Sequence, residues 1–496
     1  MFIDTGNGTG WTPVNDSTKD VAALDSFTID WGSDGIDEQP EPAVMSFTLR
    51  DRTGRLAGQA LTLAGMKVVV QFSNQPRWMD LTPAMGCWRD LRIPIDSLHK
   101  MYSPDSPDSP SETMFAGSVS TGGSIEPASD GGWLLKLSAT SRMAIWKRLQ
   151  SQGPTDTAAK WNGAHWIGTP SARLKEMNRR ASAQGAPEAQ LDGLALPSSV
   201  APYTPSDHPS QLDLLHRLTV GPRLPQWHEV YDGAASTIRP LFLADPIAVH
   251  LSADGRLNVL TDGETRYALS AADIEASTDL SITEPLTQVV INAKRVKSDN
   301  GKLSFDDVEI TMGDQDRLPP QLTVMQKSLT VDSDMLAVDD SGGVWNSGGT
   351  SNVSATDRAN IAQWLESLRM VPETVTFNST RIDPARRPWL YKASPSGPFI
   401  IVKAKSSALT GSDGRPSFTG PITTIGGTLS YRWRSGKPTL TQEATLAALR
   451  PLLTERITWA DLPTLSWQQL DLHICDLSMI QIIDTSSPTA EKEGTQ

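Results

Sequence analysis

Residues 37–51 read DEQPEPAVMSFTLRD, an acidic, proline-bearing segment that runs directly into an alternating one. Apolar residues at positions 45, 47 and 49 alternate with polar residues at 46, 48 and 50. Because successive side chains of a β-strand point to opposite faces, this pattern predicts a strand with one buried face. The residues that follow, Asp51 to Gly54, are typical of a turn.

The carboxylates at the start of this stretch could be catalytic groups or could belong to a solvated loop. Glycosidases use two carboxyl groups placed on either side of a scissile bond. Asp37 and Glu38 are adjacent, however, so on an extended chain they point to opposite faces, and Pro40 and Pro42 hold the segment extended. We therefore interpret the acidic run as a solvated or interface-forming loop that leads into the strand.

Length, charge and cysteine content exclude several classes of protein. A chain of 496 residues can form several domains that each bury a core. Its net charge of −13 argues against a nucleic-acid-binding surface, which needs clustered Lys and Arg. Cys87 and Cys475 lie far apart without a CxxC pattern, so neither a disulfide framework nor a zinc site is indicated. No signal-peptide pattern and no run of ~18 apolar residues occurs, so stable membrane insertion is not expected.

Turn residues and short alternating segments predict a mainly β protein with short helices. Further strands are predicted at 68–72, at 133–137 and over TLSYRW, where Leu429, Tyr431 and Trp433 share one side. Asp254-Gly255 and Asn300-Gly301 are dipeptides favoured in two-residue hairpin turns, so two hairpins are predicted there.

Short helices are predicted between the strands. Residues at helical spacing indicate helices over Ser141–Gln150, Arg173–Ala183 and Gln442–Leu449. Another begins after Ser206 or Ser210 and buries Leu214, Leu215 and Leu218, and one more follows Ser354.

Composition divides the chain into five segments. Residues 1–150 are predicted to form an N-terminal β domain, and 151–240 a small mixed helical and irregular subdomain. Residues 241–320 form a β-rich domain and 321–450 an α+β domain, while 451–496 carry a tryptophan repeat and a disordered tail.

No motif for catalysis or cofactor binding is found in the sequence. The seven histidines form no HExxH pair, and no GxSxG elbow is present. His228-Glu229 is an adjacent base and acid, but a structural role is the favoured interpretation. GNGTG at 6–10 lacks the flanking strand and helix of a nucleotide-binding loop. We therefore expect no enzyme activity, no cofactor and no identified metal ligands, while scattered carboxylates leave a structural metal open.

Fifteen tryptophans are many for this length. Trp133, Trp146, Trp364 and Trp433 lie within apolar patterns, so core packing explains them first. ITWADL at 457–462 recurs as LSWQQL at 465–470, in a short C-terminal segment without much core of its own. Trp459 and Trp467 are therefore our candidates for docking anchors at an interface with another protein.

Several of these segments resemble one known family. FTIDWG at 27–32 followed by DEQPEPAVMSFTLRD is similar to the N-terminal signature of minor tail proteins of siphophages that infect actinobacteria. FAGSV at 115–119, GGWLLKLSATSRMAIWKRL at 131–149, YALSAADIEASTDLSITEPLTQVVINAKRV at 267–296 and GPITTIGGTLSYRW at 420–433 resemble segments of tail-tip hub proteins. The resemblance spans most of residues 20–450 and does not extend to 151–204 or to the tryptophan repeat.

The resemblance implies a structural hub of the tail tip, or baseplate, of the virion. It implies several barrel-like or sandwich-like β domains, two of them tube-forming, and a homotrimer that adapts a hexameric tail tube to a threefold tip. The implied partners are the distal tail protein, the tape-measure protein and other tail-tip or receptor-binding proteins, with DNA only in transit during genome ejection. The acidic balance suits such a channel, since like charges limit adhesion of DNA.

Two other functions remain as alternatives. A tail-associated lysin would cut the host cell wall, but little chain remains beyond about residue 450 for a catalytic domain of its own. A carbohydrate- or receptor-binding tail protein would use exposed indole rings, and the abundance of tryptophan is the feature that favours it.

Overall fold

The computed structural model describes part of the chain in many short segments. These are residues 1–4, 10–14, 22–36, 38–72, 104, 111–129, 131–149, 161–162, 165–166, 170–190, 209–218, 225–242, 248–251, 257–260, 267–270, 273–277, 286–299, 302–312, 327–338, 344–346, 349–351, 374–377, 390–397, 399–402, 422–434, 437–448 and 481–483.

Strands dominate these residues, as the sequence predicts, and the helices are short. The described strands up to residue 242 are β1 (Phe2–Asp4), β2 (Trp11–Pro13), β3 (Ala23–Gly32), β4 (Glu41–Asp51), β5 (Lys67–Phe72), β6 (Glu112–Val119), β7 (Ser124–Pro127), β8 (Trp133–Ser141), β9 (Trp161–Asn162), β10 (His165–Trp166), β11 (Glu188–Ala189), β12 (Pro225–Asp232) and β13 (Ala235–Phe242).

The later described strands are β14 (Ala248–Leu251), β15 (Leu257–Leu260), β16 (Tyr267–Ser270), β17 (Ile274–Ser277), β18 (Leu286–Asp299), β19 (Lys302–Met312), β20 (Lys327–Val338), β21 (Val344–Asn346), β22 (Gly349–Ser351), β23 (Thr374–Phe377), β24 (Phe399–Val402), β25 (Ile422–Arg434), β26 (Lys437–Ala448) and β27 (Gln481–Ile483). The described helices are a 3-10 helix (Ala57–Gln59), α1 (Ala60–Leu63), α2 (Met143–Arg148), α3 (Pro170–Ser182) and α4 (Gln211–His216).

One large sheet contains strands from residues 2–141 and from residues 267–448. In the described part it contains 14 strands, and its main path runs β17-β23-β26-β25-β3-β4-β8-β6-β5-β1-β2. Strands from the predicted segment 1–150 therefore pair directly with strands from the predicted segment 321–450. The five-segment division stays a prediction, and the sheet adds that its first and fourth segments share one hydrogen-bonded layer.

The stretch with alternating apolar and polar residues forms β4, in the middle of this sheet. Met45, Phe47 and Leu49 are at most 3% exposed, whereas Val44 on the other face is 42% exposed. The predicted strand and its buried face are thus confirmed. β4 lies between β3 and β8, both antiparallel to it, so its apolar face packs into the main core of the sheet.

The strand ends in a turn built on one buried carboxylate. Asp51 is 1% exposed, and its Oδ1 accepts hydrogen bonds from the backbone N–H groups of Thr53 (3.2 Å) and Gly54 (2.9 Å). Its Oδ2 accepts from the N–H groups of Leu56 (2.8 Å) and Ala57 (2.9 Å). The predicted turn from Asp51 to Gly54 is confirmed, because a short acidic side chain satisfies the turn's free N–H groups.

β3 and β25 meet at a close backbone approach between glycines. At Gly32, which has a φ of +77°, a Cβ would lie 2.1 Å from the carbonyl oxygen of Ile425. At Gly426 a Cβ would lie 2.2 Å from the carbonyl oxygen of Ser33, and at Gly427, with φ +134°, 2.1 Å from that of Glu443. The β3–β25 contact therefore requires residues without a Cβ at Gly32 and Gly426, whereas Gly427 is required by the close approach of β25 to β26.

A second, smaller core lies beneath the helices. It contains Met143 and Trp146 of α2, Leu214 and Leu215 of α4, and Trp227 of β12. The helices predicted over Ser141–Gln150 and Arg173–Ala183 are confirmed as α2 and α3. The helix predicted after Ser206 or Ser210 is α4, which begins at Gln211 with Ser210 as its N-cap.

Ser210 forms a capping box with Asp213. The Ser210 Oγ accepts from the Asp213 N–H at 3.0 Å, and the Asp213 carboxylate accepts from the Ser210 N–H at 2.9 Å. Two free N–H groups at the start of α4 are thereby satisfied.

Antiparallel strand pairs occur at both predicted hairpins, but only one of them has the predicted two-residue turn. β18 and β19 are antiparallel with Asp299 opposite Lys302, so Asn300-Gly301 is the two-residue connection that was predicted. β14 and β15 are also antiparallel, but Leu251 lies opposite Leu257, so five residues connect them and the two-residue turn predicted at Asp254-Gly255 is wrong. The connecting residues 252–256 lie outside the described residues.

The helix predicted over Gln442–Leu449 is wrong. Residues up to Ala448 belong to β26, which pairs with β25 on one side and β23 on the other. Gln442 and Ala444 are 0% exposed and Glu443 between them is exposed, so a period of two is present. The helix propensity of Ala, Gln, Glu and Leu is overridden by pairing with two neighbouring strands.

Of the tryptophans predicted to lie in the core, the structure confirms Trp146 and contradicts Trp133. Trp146 is 0% exposed, and its Nε1 donates to the Pro187 carbonyl at 2.8 Å, as expected for a core residue. Trp133 is 41% exposed, so its assignment to the core is wrong. It is the first residue of β8, where the apolar face begins only at Leu135. Trp364 and the predicted helix after Ser354 lie outside the described residues, as does the side chain of Trp433.

The glycine contact gives a first prediction. Replacing Gly32 with alanine should lower the free energy of unfolding by about 3 kcal/mol or more, because a Cβ at positive φ would also collide with the β25 backbone. Chemical denaturation of the purified variant measures this. Gly58→Ala is the matched control, since Gly58 has open space around its Cβ position, and it should change stability by less than about 1 kcal/mol. Equal stabilities for the two variants would contradict the prediction.

Candidate functional site

The acidic loop keeps its carboxylates in solvent. Asp34, Glu38 and Glu41 are exposed, while Asp37 lies outside the described residues. Glu41 forms an ion pair with Lys147 of α2 at 2.6 Å, with both side chains more than half exposed. The solvated-loop interpretation is thus confirmed for the three carboxylates that the structure describes. They are not gathered around a cleft.

Two glutamines, Gln39 and Gln226, link the loop to β12. Gln226 is 2% exposed, and its Nε2 lies within hydrogen-bonding distance of Ser33 Oγ (3.1 Å), the Gly35 carbonyl (3.0 Å) and the Glu38 carbonyl (2.9 Å). The Gln39 side chain extends from the loop to the backbone of β12. Its Nε2 donates to the Pro225 carbonyl (2.9 Å), and its Oε1 accepts from the Trp227 N–H (3.3 Å).

Two amides therefore satisfy the backbone groups of a loop that has no regular ladder of its own. Unpaired backbone groups that are buried cost about 1–3 kcal/mol each, so the glutamines fix the loop in one conformation. Gln39 belongs to the acidic stretch DEQPEP at 37–42, and Gln226 lies 187 positions later in sequence. The loop and β12 are for this reason one unit, which we call the Gln39–Gln226 junction.

Two histidines support this junction. The Nε2 of His228 lies 3.3 Å from the Oε1 of Gln226, and His228 is 3% exposed. Burial lowers the pKa of His228 to about 3, with a further contribution from the nearby His216 of α4. Burial also lowers the pKa of His216 to about 4. Both imidazoles are therefore neutral at neutral pH.

On the other face of β12, Glu229 caps helix α2. Its Oε2 accepts from the Met143 N–H at 3.1 Å, and its Oε1 accepts from the Ser236 hydroxyl at 2.5 Å. No side chain of the residue preceding α2 caps it, so a carboxylate from a distant strand takes that role. Burial raises the pKa of Glu229, opposed by hydrogen bonds from Ser236, Ser141 and the Met143 N–H.

His228 and Glu229, the adjacent base and acid noted in the sequence, are both buried and point to opposite faces of β12. They are therefore not a catalytic pair, in agreement with the structural role favoured from sequence. Trp459 and Trp467 lie outside the described residues, and their docking role stays a prediction. Within the described residues, no group of three His, Cys, Asp or Glu side chains is arranged to hold a metal ion.

A concave region lies between α3 and β11. Its volume is about 520 Å³, and Lys175, Asn178 and Arg179 of α3 face Glu188 and Gln190 across it. The Asn178 side chain closes the edge of β11, because its amide donates to the Ala189 carbonyl (2.8 Å) and accepts from the Ala189 N–H (2.9 Å). A strand cannot add to β11 on that side while Asn178 is in place.

Sequence reasoning missed Gln226. It lies among apolar and aromatic residues in PQWHEVY, where no spacing or motif distinguishes it from a surface glutamine. Its importance depends on the loop conformation that it contacts, which sequence alone does not provide.

Comparisons with known proteins give distant likenesses. No family model matches the sequence, and no curated protein matches it. Among solved structures, the tail protein from Neisseria meningitidis MC58 is 11% identical with a TM-score of 0.39, over 85% of this chain and 92% of that one. Prophage tail protein gp18 from Listeria monocytogenes EGD-e is 9% identical with a TM-score of 0.37, over 89% and 93%.

A third solved structure, the E. coli c3393 protein, is described as a component of the type VI secretion system with similarity to T4 tail proteins gp27 and gp5. It is 10% identical with a TM-score of 0.36, over 86% of this chain and 74% of that one. With TM-scores under 0.5, these likenesses do not by themselves assign a function. Among the helices that the structure describes, none is long and apolar enough to span a membrane.

The junction gives a second prediction. Gln226→Leu should lower the free energy of unfolding by about 2–3 kcal/mol, because the loop carbonyls and the Ser33 hydroxyl lose their donor. Chemical denaturation measures the loss. Lys147→Ala breaks only the exposed pair with Glu41 and serves as control, with an expected change below about 1 kcal/mol. A Gln226→Leu variant as stable as the wild type would refute the role assigned to Gln226.

Glu229 gives a third prediction. Because its folded pKa is raised above its ordinary value of 4.5, this carboxyl lowers stability as pH rises through 4.5 toward the folded pKa. Glu229→Gln removes the titration. The stability of the wild type relative to Glu229→Gln should therefore fall as pH rises above 4.5, as measured by urea unfolding at each pH. A constant difference would show that the folded protein does not raise this pKa.

Proposed function

We propose that this chain is a structural, non-enzymatic component of a phage tail, acting as a hub of the tail tip in the virion. The hub is a homotrimer whose β domains, two of them tube-forming, close the tail tube. It joins the distal tail protein, the tape-measure protein and other tail-tip or receptor-binding proteins. DNA contacts it only in transit, when the tip opens for genome ejection.

One observation carries the proposal: four of the segments that resemble hub proteins are neighbours in one sheet. FTIDWG lies in β3, EPAVMSFTLRD is β4, WLLKLSATS forms β8, and FAGSV lies in β6. ITTIGGTLSYRW lies in β25, and the order β25-β3-β4-β8-β6 is continuous within the large sheet. A resemblance concentrated in contiguous strands concerns a framework, whereas an enzyme family would share residues that converge on a cleft.

The glycine contact supports the same interpretation. The W-G of FTIDWG and the G-G of TTIGGT are far apart in sequence, yet Gly32 contacts Gly426 where β3 meets β25. Sequence features from two resembling segments thus serve a single structural contact. Such a requirement explains these residues without any substrate.

The docking role of Trp459 and Trp467 is part of this proposal. Both belong to the segment 451–496, which would hold a neighbouring tail protein by burying two indole rings in pockets of the partner. Aromatic anchors of this kind carry a large share of the binding energy of many interfaces.

The test is reconstitution of the tail tip. The purified chain should form a threefold assembly with the distal tail protein of the same virion, visible as threefold density in electron micrographs of the tip. Clearing of host cell walls by the purified protein in zymograms would instead favour a lysin. Binding of the isolated chain to host-surface glycans would favour a receptor-binding protein.

The tryptophans provide the fourth prediction. A Trp459→Ala/Trp467→Ala variant should fold normally and lose at least ten-fold in affinity for its tail-tip partner, because each buried indole contributes over 1 kcal/mol to such an interface. Binding is measured by titration of the partner. Trp133→Ala is the matched control, since Trp133 is an exposed tryptophan outside this segment. Unchanged affinity in the double variant would end the docking assignment.

A further inference from the structure

The central strand β4 has opposite charges at its two ends. Four carboxylates precede it or stand at its first residue, within 34–41, and Arg52 and Arg55 follow it in the turn. Because β4 is 11 residues long, its two ends lie about 33 Å apart at the usual rise of a strand. The acidic and basic groups therefore cannot pair with each other within one chain.

At the acidic end, Asp34 and Glu38 are available for contact with another molecule. Both are exposed, and among the described residues neither carboxylate has an ion-pair partner. Glu41 is instead paired with Lys147. The loop carbonyls at 35 and 38 are held by Gln226, so the two carboxylates are carried on a fixed backbone. We call Asp34 and Glu38 the acidic end.

At the opposite end of the strand, Arg52 and Arg55 lie beside an exposed tryptophan. Both arginines are exposed, and within the described part of the chain neither guanidinium has an ion-pair partner. Trp133 is 41% exposed, and a Cβ placed on Gly54 would lie 3.2 Å from its Nε1, so the indole lies against this turn. Asp51 fixes the turn by accepting four backbone hydrogen bonds. We call Arg52, Arg55 and Trp133 the basic end.

The basic end has the composition of a protein interface. Tryptophan and arginine are enriched among the residues that contribute most to binding between proteins. Within the residues that the structure describes, Val44 and Trp133 are the exposed large apolar side chains. Guanidinium groups bind carboxylates through paired hydrogen bonds, so the partner that fits this end is acidic.

A second copy of the chain supplies such a partner. The net charge of −13 makes copies repel one another, so their association needs a local contact between opposite charges, within the Debye length of about 8 Å at physiological salt. The acidic end presents its carboxylates on a backbone that is already fixed, so little conformational entropy is lost on binding. Nucleic acid could also bind arginine and tryptophan, but the same net charge opposes its approach.

We propose that the acidic end of one copy binds the basic end of the next copy. Because the two ends differ, the contact is head-to-tail, and such a contact closes into a ring when the rotation between copies permits it. It joins neighbouring subunits of the homotrimer, so the inference rests on the proposed function in this respect. It is separate from the docking of another tail protein through the segment 451–496.

Charge reversal tests this contact as the fifth prediction. Arg52→Glu/Arg55→Glu should weaken self-association of the full chain at least about ten-fold, because like charges placed opposite each other at an interface repel. Asp34→Lys/Glu38→Lys reverses the other side and should have the same effect. Sedimentation velocity over a series of protein concentrations measures the dissociation constant.

A variant with all four reversals should recover the self-association of the wild type. Both sides of the contact then exchange their charges, while the net charge stays that of the wild type. The matched control is Lys67→Glu/Lys175→Glu, which reverses two exposed lysines in β5 and α3 and changes the net charge as much as the two arginine reversals do. It should change the dissociation constant less than about two-fold, since exposed charges outside the contact are screened.

The fold should survive these substitutions, because the reversed side chains are exposed. Should Arg52→Glu/Arg55→Glu nevertheless fail to fold, Arg52→Gln/Arg55→Gln takes its place, with an expected weakening of at least about three-fold for the loss of two ion pairs.

Four outcomes would overturn the contact. They are a wild type that stays monomeric, arginine variants that associate as tightly as the wild type, a control that weakens association as much as they do, and a four-fold variant that is not restored. Binding of a duplex oligonucleotide that depends on Arg52 and Arg55, with unchanged self-association, would assign the basic end to nucleic acid instead. Threefold density at the tail tip together with unaffected arginine variants would refute this contact and leave the proposed function standing.

Discussion

The fold depends on the close approach of β3 and β25 at their glycines. An ordinary pair of antiparallel strands tolerates side chains on both faces, but here the backbones come so near that a Cβ at Gly32 would lie 2.4 Å from the Gly426 Cα. The pairing of β3 with β25 itself is regular. Next to this point the register of β3 against β4 shifts between Asp30 and Gly32, and the register of β25 against β26 shifts between Thr424 and Gly426. Bulges of this kind bend a strand and increase its twist.

That contact joins strands from the N-terminal 141 residues to strands near residues 422–448 in one sheet. Without this pairing, β3 would be an edge strand beside β4, and β25 would be an edge strand beside β26. Pairing between them closes both edges and places the apolar faces of all four strands over a common core, where Phe27 stacks on Tyr431 with ring centroids 5.4 Å apart. Such pairing between distant segments has a high entropic cost during folding, since a long intervening chain must be closed before the contact forms.

The sequence predicts those elements whose pattern is local. The alternation in β4, the Ser210 cap of α4 and the Asn300-Gly301 hairpin all follow from a few neighbouring residues, and all are found. Where the outcome depends on distant neighbours, prediction fails. The segment around Gln442 has good helix formers but becomes β26, because β25 and β23 offer a ladder on both sides. Gln226 was not recognised for the same reason, since its partners lie near residue 35.

The buried polar groups of β12 show how the second core is tied to the sheet. Apolar contacts alone would allow this small core to adopt several orientations against the sheet, because they are not directional. Gln226 and Glu229 lie on opposite faces of one strand, and each binds a different element: the loop before β4 in one case, the start of α2 in the other. Since α2 follows β8 and the loop precedes β4, both bonds end on the same sheet. A displacement of β12 must therefore break one set of these bonds or move the acidic loop with it.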